Sequence, residues 1–221
     1  MDEEIIVSPL ANLYESKPYS RQKFYDEQFS GENSPELAVH IVDVLLFGTD
    51  GEIILQKRSE NKRHNPLLID KTLGGHIQFG DTDDYTTMVE TVQEMLTPSV
   101  VLENKEDFDK TLILLRSYVD TVAVIFKKTV RPWLLEKITD GKMYKVNNVV
   151  HLYFGVYGGR MRPADGEASG VLYYSSLEQL EREIELHSDI FTDDLKQICK
   201  DYREDILAFK QEVRERFGSV K

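Results

Sequence analysis

The residues able to do chemistry gather between Gly74 and Leu96, which reads Gly-Gly-His-Ile-Gln-Phe-Gly-Asp-Thr-Asp-Asp-Tyr-Thr-Thr-Met-Val-Glu-Thr-Val-Gln-Glu-Met-Leu. Glu90 and Glu94 are four residues apart, so on a helix they share a face, with Gln93 beside them. Asp81 stands just ahead of that helix and can point into the same space. Carboxylates gathered in this way repel one another, so the cluster implies either a bound cation or plain solvation on the wet face of an amphipathic helix. Oxygen-only ligands suit Mg²⁺ or Mn²⁺, and Mg²⁺ in turn suits a phosphorylated substrate.

Two elements must position these groups. A helix is expected from about Asp83 to Leu96, with Thr82 as its N-cap and Asp83 and Asp84 at the positive end of its dipole. Tyr85, Met88, Val92 and Met95 recur at helical spacing and are the expected buried stripe. A glycine-punctuated loop, Gly74 to Gly80, precedes it. Just upstream, Arg58, Lys62, Arg63 and His64 form a basic loop, either an ordinary exposed turn or a holder of substrate phosphates in an otherwise acidic chain. Arg58 leads the four, because it ends a strand aimed at the glycine loop.

The stretch resembles a degraded Nudix box. That family's pattern is Gly, five residues, Glu, seven residues, Arg-Glu, an apolar residue, any residue, Glu-Glu, any residue, Gly, apolar. With Gly75 as the first glycine, Asp81 takes the first acidic slot and Val89-Glu90 the Arg-Glu slot. Gln93-Glu94 then takes the Glu-Glu slot, and Leu96 replaces the last glycine. The context is similar too. Ala38 to Phe47, Gly51 to Ser59, Lys62 and Pro66 fall where Nudix proteins have two strands and an Arg-Ser turn. Downstream, Asp165-Gly166-Glu167, Val171 to Tyr174, Ser176 to Leu180 and Phe191-Thr192 look like the branch related to isopentenyl-diphosphate isomerase.

The resemblance, which spans roughly Ile5 to Tyr202, implies an α+β Nudix fold. Such a fold is an α/β/α sandwich around a mixed sheet, here with an insertion after the box helix and a long C-terminal helix. It implies metal-assisted hydrolysis of a diphosphate linkage in a nucleoside diphosphate derivative or related organic diphosphate. Glu90, Glu94, Asp81 and the Gly75 carbonyl would hold Mg²⁺ or Mn²⁺, with Glu167 approaching from the opposite side and Gln93 beside them. Val89 cannot orient the glutamates as the family's arginine does, and Gln93 carries no charge, so weakened chemistry is expected. The alternative is a noncatalytic ligand-binding or regulatory module. An isomerase is disfavoured: that branch needs a reactive cysteine near the box, where this chain has Thr72, Leu73 and Gly74. His76, beside Gly75, is read first as structural and kept among the candidate substrate contacts.

A chain of 221 residues with 41% hydrophobic content can build one substantial core, so residues 1–221 read as a single domain. Its parts are an N-terminal strand and connection (about 1–35), an insertion (about 102–147) and a closing helix (about 192–217). The 39 acidic and 27 basic residues give a net charge of -12, which argues against nonspecific nucleic-acid binding and against anionic membranes. One cysteine, Cys199, permits no intrachain disulfide, the first residues are acidic, and no apolar run approaches a membrane span, so a cytoplasmic protein is expected.

Leu37 to Phe47 reads as a strand covered on both faces, interrupted by Asp43, and the turn at Gly48 to Gly51 returns the chain as a hairpin. Ser8 to Gln28 reads as a polar connection. Within the insertion, Arg116, Arg131, Trp133 and Tyr144 are candidate specificity residues, against the plainer reading of Trp133 as core. Arg160 and Arg162 follow a strand at Val149 to Tyr157 and could reach phosphate, whereas His151 on that strand reads as a satisfied core histidine. In the closing helix, the apolar residues from Leu195 to Phe217 repeat along one side, and its second half is a candidate homodimer contact.

Overall fold

A computed structural model describes residues 3–30, 36–162, 164, 166 and 168–218. Glu167 therefore lies outside the described residues. In chain order the elements are β1 (Glu4–Pro9), β2 (Lys17–Ser20), α1 (Arg21–Ser30), β3 (Leu37–Phe47), β4 (Ile53–Arg58), β5 (Ile69–Asp70), β6 (Leu73–His76) and α2 (Asp83–Met95). There follow β7 (Ser99–Leu102), α3 (Lys105–Leu115), β8 (Ala123–Thr139), β9 (Lys142–Val156), β10 (Ala168–Tyr174), α4 (Leu177–Leu186), α5 (Asp193–Asp201) and α6 (Arg203–Phe217).

Every residue of β3 is buried, His40 and Asp43 included, as expected of a nearly continuous apolar run covered on both faces. It pairs in parallel with β9, from Val39 opposite Asn148 to Phe47 opposite Val156, and antiparallel with β1, β4 and β6. The main path of the mixed sheet runs β10-β4-β3-β9-β8-β7. One face carries α3 to α6, whose Phe108, Leu180, Ile198 and Phe209 meet Phe47 and Phe154. On the other face α2 packs through Met95 against Val42, Leu73 and Tyr153. A third cluster closes β3's amino-terminal half under α1, through Phe24, Tyr25, Ile41 and Val150. This is the α+β, α/β/α architecture that the resemblance implies.

Three expectations change. The polar connection contains β2 and α1; Phe24 and Tyr25 are fully buried, though α1 has too little apolar surface to announce itself. The closing helix is two helices, broken at Tyr202, where φ is -118°. In α2, Tyr85, Met88 and Val92 are outside, at 50%, 38% and 52% exposure, and of the expected stripe only Met95 is buried. Thr86, Thr87, Thr91 and Glu94 face inward instead. The reason is close approach: small threonines let the helix lie near a glycine strand, and Thr87 and Thr91 donate back to the carbonyls of Asp83 and Met88.

Candidate active site

Helix α2 is anchored at its start. The Thr82 hydroxyl accepts from the Tyr85 amide, as expected of a cap. Asp83 and Asp84 also tie the helix to the sheet. His151 Nδ1 lies 2.6 Å from Asp83, and the Tyr153 hydroxyl donates to Asp84 at 2.8 Å. His151 Nε2 stands 3.0 Å from His40 Nδ1, so both nitrogens of this core histidine have partners. Burial pushes His40 down to about 4, with His151 adding to it, and holds that imidazole neutral. The helix ends on Leu96 at φ 54°, a left-handed position that suits the glycine of the family pattern.

A cavity of about 280 Å³ opens between α2, the glycine strand β6, the basic loop after β4, and the start of α5. Glu90, Gln93, Glu94, Asp81 and Gly75 all line it, as do Arg58, Lys62, Arg63 and His76. Glu94 is only 3% exposed; Gln56 donates to its Oε2 at 3.3 Å and Lys62 Nζ stands 3.9 Å from Oε1. Glu90 presses on Gly75, where an added Cβ would fall 1.7 Å from Oε1. Among the described residues, no group of three His, Cys, Asp or Glu side chains stands close enough to hold a metal by itself.

Gly75→Ala is therefore expected to push aside the flexible carboxylate of Glu90 rather than the backbone. Stability should change by less than about 1 kcal/mol, since only a side-chain end moves, and any activity that uses the Glu90 carboxylate should fall at least about 10-fold. Parallel activity and thermal-melting measurements check this.

Solved structures similar to this chain include DR0079 from Deinococcus radiodurans, at TM-score 0.53 and 15% identity over 90% of this chain and 98% of that one. That likeness shows a shared fold. Others are a bifunctional NMN adenylyltransferase/ADP ribose pyrophosphatase from Francisella tularensis (TM-score 0.48, 15% identity, 84% of this chain, 45% of that one) and a NUDIX hydrolase from Nitrosomonas europaea (TM-score 0.46, 9% identity, 76% and 90%). No protein-family model matches the chain, and no curated protein sequence does.

The basic residues are not equivalent. Arg58 is clamped: it donates to Asp70 at 2.9 Å and twice to the His64 carbonyl, so it shapes the loop. Arg63, at the rim, donates to Gln22 at 2.6 Å. His76 Nε2 lies 2.6 Å from the Tyr25 hydroxyl; burial, then Arg21 and Lys137, hold its pKa well below the ordinary value. His64, which leans on the Tyr25 ring, is pushed by burial and by Lys137 to about 3. Both imidazoles are neutral walls.

Arg116 and Arg160 are not at the cavity. Arg116 follows α3 on the sheet face opposite α2, its guanidinium 5.6 Å from the Phe217 ring centre. Arg160 is exposed beyond Gly158, whose amide donates to Val119 at the far end of the β3–β9 pair; Arg162 is exposed too. Arg131 is exposed and rests on Tyr202, while Tyr144 stacks on Phe29 with centroids 4.2 Å apart. Trp133 packs between two core clusters, so the plainer reading of it holds.

The cavity floor holds a group that the sequence reading passed over. Lys71, 5% exposed, sits 2.8 Å from Asp194, 2.9 Å from Asp43 and 3.4 Å from Asp70. Burial opposes its charge, but Asp194, Asp43 and Asp70 hold its pKa well above the ordinary lysine value. An Asp-Lys pair inside the apolar run Leu67 to Leu73 was the available signal. Lys137, on the buried parity of β8, was also passed over.

Proposed function

We propose that the chain is a Nudix-type hydrolase cleaving a diphosphate linkage in a nucleoside diphosphate derivative or related organic diphosphate. The observation that carries this is the joining, in one cavity, of box residues Asp81, Glu90, Gln93 and Glu94 with Lys62, Arg63 and Lys137. Acidic and basic walls facing each other suit a polyanion whose charge is met on one side directly and on the other through a cation.

The donors fit a hard divalent ion in kind: the carboxylates of Glu90, Glu94 and Asp81 line the cavity with Gly75, and all of them offer oxygen. Mg²⁺ or Mn²⁺ there would supply Lewis acidity towards a diphosphate oxygen. The chain's own part is to hold Glu94 oriented through Gln56, to offset its charge with Lys62, and to exclude water behind buried threonines. Gln93, exposed at the rim, contributes an amide without charge. Val89 lines the cavity where the family's arginine would brace the glutamates.

A second reading, a ligand-binding module without turnover, is favoured by the engagement of Glu94 with Gln56 and Lys62. The test is hydrolysis of a panel of nucleoside diphosphate derivatives with Mg²⁺ and Mn²⁺, by the native chain and by Val89→Arg/Gln93→Glu. Metal-dependent turnover that rises at least about 10-fold in the double variant is expected, because restoring a brace on a metal-binding carboxylate is worth about 10–100-fold. No gain from the folded double variant would count against a merely weakened site. Tight nucleotide binding without turnover would favour the module.

A further inference from the structure

One cation in the cavity wall differs from the rest. Arg58 and Lys71 are matched by Asp70, Asp43 and Asp194, Lys62 stands by Glu94, Arg63 by Asp26, and Arg21 by Glu3. Lys137 is 7% exposed and lines the same cavity, yet among the described residues its amine has no hydrogen bond and no ion pair within 4 Å, and only the longer-range attraction of Asp194 offsets its charge.

Its neighbours are pinned. The Glu136 amide donates to Asp193 at 2.9 Å, the Ile138 amide donates to Asn65 Oδ1 at 2.7 Å, and the Thr139 hydroxyl lies 2.7 Å from His64 Nδ1. The Asn65 amide also donates to the Ile138 carbonyl at 2.8 Å. The tip of the β8–β9 hairpin is thus locked on both sides of Lys137, with Leu135 and Thr139 buried on the same parity. A cation held in a buried, rigid position without a contacting partner is costly to the empty protein. Fixing it there makes physical sense if an anion arrives to meet it.

We infer that Lys137 is a ligand-recognition residue of this cavity, its amine contacting a phosphoryl oxygen of the bound diphosphate. This rests on reading the cavity as a diphosphate site. It assigns to the hairpin a role in choosing ligands, delivered by a lysine rather than by Trp133 or Tyr144.

The test is calorimetric titration of the full chain with inorganic pyrophosphate in EDTA, comparing wild type, Lys137→Met and Lys137→Arg. A charge-assisted contact is worth roughly 10–100-fold in affinity. Lys137→Met should lose at least about 10-fold, whereas Lys137→Arg should stay within about 3-fold of wild type. The melting midpoint of ligand-free Lys137→Met should equal or exceed that of wild type, since an unpaired buried charge is gone; a purely structural lysine would lower it. Affinity unchanged in Lys137→Met, or lost equally in Lys137→Arg, overturns the assignment. If Lys137→Met does not fold, Lys137→Gln is read against the same two limits. Because no metal and no turnover enter this measurement, it can fail while hydrolysis stands, and hydrolysis can fail while it succeeds.

Discussion

Glu94→Gln is expected to lower the proposed metal-dependent hydrolysis at least about 100-fold and leave the fold intact. Removing a group that merely supports a metal-binding carboxylate costs up to about 100-fold, so removing the carboxylate itself should cost no less. Glutamine has nearly the same shape and keeps an oxygen for the Gln56 side chain, which now donates to Glu94 at 3.3 Å. The attraction from Lys62 at 3.9 Å is lost, but Lys62 is 25% exposed and keeps water as a partner. Stability should therefore shift by no more than about 1 kcal/mol. Pyrophosphate binding without metal should hold or tighten, because one negative charge leaves the wall. Turnover undiminished in the folded variant would remove the box from the chemistry.

What was legible beforehand is what short-range spacing decides. Glu90 and Glu94 share a face because 3.6 residues make a turn, and Thr82 caps because its hydroxyl reaches the amide three residues on. The strand Leu37–Phe47 was legible from its nearly continuous apolar run. Hydropathy misled on α2, where Tyr85 and Val92 lie outside; the inward face had to be small, and threonines serve there, two of them, Thr87 and Thr91, bonding back to the helix.

Charges set by long-range pairing were not legible. Lys137 reaches the cavity only because β8 and β9 form a hairpin in register, with Lys137 opposite Tyr144, and because Asn65 locks the neighbouring residue. Arg116 and Arg160 looked as eligible as Lys137, but nothing local says to which face or end of a sheet a residue after a helix or strand is carried. Asp43 marked a break in β3, while its partner, Lys71, lies on the far side of a hairpin and a loop.

That partnership carries the second large effect. Lys71→Met should destabilise the protein by about 3–5 kcal/mol, because it strands buried carboxylates that now share one ammonium. Asp43, Asp70 and Asp194 are 1%, 2% and 3% exposed, and the oxygens of Asp43 have no aligned hydrogen bond among the described residues. Burial pushes Asp43 up to about 6 despite Lys71, so its contribution to stability is full below the unfolded value near 4 and is lost as pH rises through about 6. Burial would push Asp194 up as well, but Lys71 overrides it and holds that carboxyl well below the usual range, giving stability that persists at neutral pH and fades only in acid. Without the lysine both carboxyls should titrate high, and the variant should lose stability steadily as pH rises from about 4 to 8, where in wild type the Asp194 contribution is already complete and only that of Asp43 is lost. Melting at pH 7.5 should fall on the order of 10 °C, and Asp43→Asn in the Lys71→Met background should recover part of that by neutralising one stranded group. A Lys71→Met midpoint equal to wild type at pH 7.5, with no change in its pH slope, would mean that the ammonium does not hold the cavity floor together.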